Sequence, residues 1–248
     1  MTTGPEPVTM VYSRPPITEA VIGINFSSQI PKTALNEFEK KIKTHYSNHQ
    51  VISNYNIDLM LSNQISTKSN KQDGCRCSTE DMTQLVVLWP SSFIVSQLAP
   101  YQGWDHFYRR FVRDWVLLKK IIGFQPISRI GVRYINRIDI PAEEPLIEYE
   151  KYINIYPKIP DILQPTTSYA LQAAVQLKNI DCLLNINTAI VPSPLLRHAS
   201  FIIDQDIFKV DPPQNNDDIY ELLGKIRTEK NTVFEACISD LARELFNE

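Results

Sequence analysis

Apolar residues along this chain recur with two different periods. EAVIGINF (Glu19 to Phe26) is β-branched and apolar, which predicts a buried strand. Leu35, Phe38, Ile42 and Tyr46 follow at helical spacing, with Glu37, Glu39, Lys40, Lys41 and Lys43 between them, which predicts an amphipathic helix. Alternation returns in IDLMLSNQIS, where Ile57, Leu59, Leu61 and Ile65 share a face, and the polar stretch SNKQDGCRCSTEDM reads as a loop. TQLVVLWP and SFIVSQLA read as two strands joined by a tight turn at Pro90-Ser91. GWDHFYRRFVRDWVLLKKIIG then carries Trp104, Phe107, Phe111, Trp115, Leu118 and Ile122 down one side. It closes with Lys119, Lys120 and Gly123, the charge and cap expected at a helix C-terminus.

The second half repeats this order. ISRIGVRYINRIDI predicts a long strand, and EEPLIEYEKYINI a short helix with Pro145 in its first turn after Glu143 and Glu144. SYALQAAVQL alternates with Tyr169, Leu171, Ala173, Val175 and Leu177 on one face; CLLNINTAI and SFIIDQDIF predict two more strands. PPQNNDD is a breaker run before a final helix expected over Asn216 to Phe246, with Asp217 and Asp218 suited to its N-terminus. SFIVSQ at Ser92 returns as SFIIDQ at Ser200, and PITEAVIGINF at Pro16 is echoed by PISRIGVRYIN at Pro126. The two spacings, 108 and 110 residues, agree. The expected fold is therefore α+β: two βαβββα units, residues 1–123 and 124–248, forming one curved antiparallel sheet of about eight strands packed by two long helices. That arrangement resembles the duplicated TATA-binding-protein architecture or, more loosely, a helix-grip fold. Two separate ferredoxin-like domains are the alternative.

Composition narrows the chemistry. The 248 residues are 43% hydrophobic and 21% charged, enough for a substantial core without metal or disulfide staples. With 7 Gly against 17 Pro, loops that cradle phosphate are not expected, and no Walker, G-x-G-x-x-G or G-x-S-x-G pattern occurs. A net charge of −3 argues against a dedicated polyanion surface. MTTGPEPVTMVYSRPP contains no apolar run after a basic region, and no stretch approaches the length of a membrane span, so a cytoplasmic protein is expected. Cys75, Cys77, Cys182 and Cys237 read as two buried thiols and a loop pair. His45 and His49 fall four apart near a helix end, without a third ligand; His106 and His198 stand in no motif. No metal or cofactor is expected.

Two sets of arginines are the candidate binding residues. In RIGVRYINR, Arg129, Arg133 and Arg137 share a strand face, a stripe of about 25 Å at ~3.3 Å per residue that could follow phosphates. The competing expectation pairs each with a carboxylate, from Glu19, Glu143, Glu144 or Asp204, with Arg133 buried in the room left by Gly131. On the aromatic helix, Arg109, Arg110 and Arg113 are expected on the solvated side, beside Asp105 and Asp114, as a partner surface.

At PPITEAVIGINF, RIGVRYINRIDI and FEACISDLARELF the chain resembles a bacterial family of about this length, sporadically distributed and of unknown function. The matched positions are Pro16, Glu19, Arg133, Tyr134 and Asn136. Scattered distribution implies carriage on mobile elements, and so a setting in phage defence or toxin–antitoxin pairs. The expected role is a non-enzymatic binding or assembly protein that engages a protein partner. Nucleic-acid binding through the arginine stripe and a small-ligand pocket are the alternatives.

Overall fold

Strand β1, Ile17–Phe26, buries Ala20, Ile22, Ile24 and Phe26 in strict alternation, as its β-branched sequence requires. The computed structural model describes residues 10–61, 65–142, 148–163 and 166–247, and only the backbone of 55–61 and 65–70. After β1 come helix α1 (Lys32–Ile42), strands β2 (Asn48–Leu61), β3 (Ile65–Ser78), β4 (Gln84–Trp89) and β5 (Ser92–Leu98), and helix α2 (Trp104–Ile122). Strand β6 (Ile127–Pro141) is followed by two 3-10 turns at Tyr149–Lys151 and Asp161–Leu163. Strands β7 (Ala170–Leu177), β8 (Cys182–Val191) and β9 (His198–Val210) and helices α3 (Asn216–Cys237) and α4 (Asp240–Leu245) complete the chain. The strands form a nine-stranded antiparallel sheet in the order β2-β3-β4-β5-β1-β6-β9-β8-β7. Two compact units interleave along the sequence: one is Val21–Leu98 with Gln102–Ile130, the other the remainder.

In the first unit α2 lays Phe107, Phe111, Trp115 and Leu118 into the core, and α1 adds Ala34, Leu35, Phe38 and Ile42. Phe93 of β5 sits at the centre, 6.0 Å from Phe38, 6.2 Å from Phe111 and 5.9 Å from Trp115 between ring centroids. Gly123 ends α2 at φ 67°, its N–H bonding Lys119 O at 2.9 Å, a conformation that favours glycine. Gly74 on β3 has a different reason. A Cβ there would stand 2.7 Å from Cε3 of Trp89 and 2.9 Å from Leu88 O.

Two expectations about this unit fail. The stretch read as one strand followed by a polar loop is a long hairpin, β2 against β3, in register from Asn48 opposite Ser78 to Leu61 opposite Ile65. The polar residues of β3 form a strand through their continuous pairing with β2, and its end, Cys75–Ser78, also pairs with β4, where Cys77 faces Val86. Cys75 and Cys77 are therefore buried rather than in a loop, and all four thiols are free. His45 and His49 do not share a helix: α1 stops at Ile42, and His49 belongs to β2.

In the second unit α3 buries Ile219, Leu222, Leu223, Ile226 and Phe234, and it packs on β9, whose Phe201, Ile203 and Ile207 are buried. Asn215 caps α3 by accepting from Asp218 N at 2.9 Å. The single helix expected to Phe246 is broken. Ile238 is extended (φ −121°, ψ 155°) and bridges to Ile153, and Ser239 starts α4, its hydroxyl accepting from Ala242 N at 3.4 Å. Of the helix expected near Pro145, residues 143–147 lie outside the described residues; the 3-10 turn Tyr149–Lys151 follows, with Tyr149 packed against Tyr169 and Phe201. Among the described residues no helix is long and apolar enough to cross a membrane.

Candidate functional site

Strand β6 turns Ile130, Val132, Tyr134, Asn136, Ile138 and Ile140 inward and Arg129, Arg133 and Arg137 to the other face, as its alternation predicts. Arg133 is not buried beside Gly131: its side chain is 47% exposed. It holds Asp204 of β9 end-on, Nε and Nη2 each 2.7 Å from one carboxylate oxygen. Asn187 donates to Asp204 as well, at 3.2 Å. These bonds, with Asp206 and Glu19 nearby, raise the Arg133 pKa. Arg137 Nε bonds Asp139 at 3.1 Å, and Ser200 donates to the same carboxylate. Arg129 also has an interaction of its own. Two of the three stripe arginines, Arg133 and Arg137, are thus paired with carboxylates. Of the family-like positions, Pro16 O accepts from Arg137 N at 2.8 Å, and Asn136 donates to Ile203 O at 3.1 Å.

The arginines of α2 do not form one solvated surface. Arg110 is 5% exposed and points inward, donating to Leu85 O and to Tyr46 Oη at 3.1 Å each and to Ser96 O at 2.5 Å. Asp114, fully buried, accepts from Tyr46 Oη at 2.5 Å and from Arg113 Nε at 2.7 Å. Leu85 and Ser96 face each other across β4 and β5, so Arg110 fastens α2 to two strands at once. Arg109 is exposed, and among the described residues its side chain bonds its own helix, at Asp105 O. The spacing missed Arg110 because it lies one position before Phe111, at the edge of the apolar stripe.

A different cluster lies where α3 meets β6 and β9. The Lys230 ammonium sits 4.0 Å from the centroid of the Tyr134 ring, and Tyr134 shares a 2.8 Å hydrogen bond with Tyr101. Burial and then the neighbouring Arg227 push the Lys230 amine down to about 8. The Gln205 amide of β9 donates to Lys230 O at 3.3 Å and accepts from Phe234 N at 3.2 Å. Those two backbone groups are four residues apart, so the side chain sits in a rung of the α3 hydrogen-bond ladder.

On β3, Cys77 Sγ lies 3.2 Å from His49 Nδ1, while His49 Nε2 lies 2.7 Å from Tyr46 O. A carbonyl only accepts, so Nε2 carries the proton and Nδ1, left as an acceptor, faces the Cys77 sulfur. The bond to Cys75 and burial push Cys77 up; the same bond lowers Cys75. Among the described residues no group of three His, Cys, Asp or Glu could hold a metal ion.

The last feature is an edge. Among the described residues strand β7 ends the sheet and pairs only with β8, continuously from Ala170 opposite Ala189 to Leu177 opposite Cys182. Its alternation does not make a buried face: Ala170, Gln172, Ala174, Val175 and Gln176 are all exposed, Val175 at 43%. Ile190 N donates to Tyr169 O at 3.2 Å, so the peptide groups of Tyr169 and of every second residue after it face β8. Those of Ala170, Gln172, Ala174 and Gln176 face outward. Between Ala170 and Leu177 there is no Lys, Glu, Asp, Arg or Pro, and no bulge, the usual means of closing an edge.

No family model and no curated protein matches the chain. Among solved structures it is similar, at 10% identity, to the crystal structure of DynU16, a protein of the dynemicin biosynthetic locus. That alignment covers 93% of this chain and 98% of the other with a TM-score of 0.24, too loose a likeness to bear on fold or activity.

Proposed function

We propose that the protein is a non-enzymatic assembly protein that docks another strand on β7. The supporting observation is the open edge itself: four outward-facing peptide units on an uncharged, straight strand. Such an edge supplies main-chain hydrogen bonds to an incoming strand and offers alternate side chains for selectivity. The resemblance drawn from the sequence adds a setting, a mobile phage-defence or toxin–antitoxin locus, in which binding a partner protein is the activity. Reading the genes beside this one tests the setting. Hydrogen exchange tests the docking: the amides of Gln172, Ala174 and Gln176 should exchange fast in dilute protein and slow in the complex. Equal rates in both would end the reading.

Nucleic-acid binding is the weaker reading, because Arg133 and Arg137 already hold carboxylates and Glu19 and Asp206 add acidic charge beside Arg133.

The fold supports a history of duplication of the TATA-binding-protein-like kind. The repeated hexapeptide occupies β5 and β9, and Phe93, Val95 and Gln97 are buried as Phe201, Ile203 and Gln205 are. Superposing β4-β5-β1 on β8-β9-β6 should place the hexapeptides in register; a slip of one residue would refute it.

A further inference from the structure

We infer that the strand that docks on β7 is β7 of a second copy of this chain, running antiparallel about a two-fold axis through Ala174. This rests on the reading of β7 as a docking edge and adds the partner and the register. Three observations carry it.

The first is sequence symmetry. Leu171-Gln172-Ala173-Ala174-Val175-Gln176-Leu177 reads alike in both directions by residue type. With Ala174 opposite itself, Gln172 meets the other copy's Gln176, Leu171 meets Leu177, and Ala173 meets Val175. Amides face amides and apolar side chains face apolar ones.

The second is hydrogen-bond parity. The outward peptide groups belong to Ala170, Gln172, Ala174 and Gln176. In this register each outward residue from Gln172 to Gln176 meets another outward residue, giving about six N–H···O bonds. A shift of one residue sets outward groups against inward ones and forms none. A shift of two keeps the bonds but sets Gln172 against Ala174.

The third is charge. Residues 170–177 carry none, so like strands meet without repulsion, which most edges are built to prevent. The inward-face side chains gain cover as well: Val175, 43% exposed beside Leu184 of β8, comes to lie against the second copy's Ala173. Two strands of this length bury less than the ~1,200 Å² of a standard stable interface, so the dimer should be weak and concentration-dependent.

The test uses the full chain in light scattering across a dilution series, with variants at the axis. The wild type should move from monomer to dimer as concentration rises. Ala174→Pro should stay monomeric with an unchanged fold, because the N–H it removes faces away from β8. Ala174→Lys and Ala174→Asp should each be monomeric alone, since like charges meet at the axis, and should dimerise when mixed. Should Ala174→Pro fail to fold, the charge pair decides alone. A wild type that stays monomeric to ~0.5 mM overturns self-pairing. The docking reading survives that result if Ala174→Lys abolishes binding of a different purified partner. A dimer that persists in both Ala174→Pro and Ala174→Lys forms elsewhere and refutes self-pairing on β7, and a dimer unaffected only by the charge swaps refutes the register.

Discussion

Arg133 and Asp204 meet end-on across β6 and β9, two nitrogens to two oxygens at 2.7 Å each. The pair lies on the polar face of the sheet, with Asp204 nearly buried and Arg133 half in solvent. Arg133→Ala leaves Asp204 the Asn187 amide as a donor. A double-mutant cycle of Arg133→Ala with Asp204→Asn should give a coupling of about 1 kcal/mol, the upper range for solvent-reached pairs. The same Arg133→Ala protein should bind single-stranded DNA at low salt no more weakly than the wild type. A clear loss of affinity would restore the arginine row as a phosphate track.

Arg110 carries more weight in the fold. Arg110→Met removes the donor to Leu85 O, Ser96 O and Tyr46 and leaves the buried Asp114 with less compensating charge. Urea unfolding should show a loss of about 3–5 kcal/mol. Tyr46→Phe deletes one bond to Asp114 and should cost about 1–3 kcal/mol. Arg109→Ala should change nothing measurable. If Arg109→Ala and Arg110→Met cost the same, the network described between α2, β4 and β5 is not there.

Lys230 makes stability depend on pH with a definite sign. Its pKa falls from 10.5 to about 8 in the folded protein, so between those values the unfolded chain holds the extra proton. Stability therefore rises with pH from about 8, by at most about 1.4 kcal/mol per unit and less where the ammonium reaches water. Tyr134, held protonated by burial, reverses the trend at higher pH. The urea midpoint of the wild type should climb between pH 7.5 and 9.5 relative to Lys230→Met, which has no proton to lose there. Parallel curves for the two proteins would place Lys230 in ordinary solvent.

Ser239 is predicted to matter only locally. Its hydroxyl accepts from Ala242 N and donates to Lys151 O, while its N–H bonds Tyr152 O. Ser239→Ala should cost about 1 kcal/mol and speed amide exchange in α4 without loosening α3. Exchange rising equally along both helices would mean they form one continuous rod.

The sequence carried the regular elements well wherever one face was apolar. β1, α1, α2, β8 and β9 follow from the spacing of residues such as Ile22 and Ile24 or Phe107 and Phe111. The β2–β3 hairpin escaped because its stretch from Ser69 to Asp73 is polar, and it is a strand through its pairing with β2, while Cys75–Ser78 pair with β4 as well. The only local hint was Cys75-Arg76-Cys77, where buried and half-exposed positions alternate. The break before α4 was written in Ser239-Asp240, a cap inside an otherwise helical run. Arg133 and Asp204 were both visible as candidates; that Asp204 was the partner depended on the order of β6 and β9, which no local pattern encodes. The edge character of β7 was hidden for the same reason, since the alternation of Leu171, Ala173 and Val175 looks identical in a central strand.

Gly74 offers a marker for recognising kin of this chain. The Trp89 indole and the Leu88 carbonyl occupy the space into which any larger residue on β3 would project. Alanine there would have to lift the ring or part β3 from β4, so substitution at this site should be disfavoured whatever the protein binds. A distant homologue can change its charges, its loops and even its free edge, but it should keep glycine facing tryptophan, or lose both together.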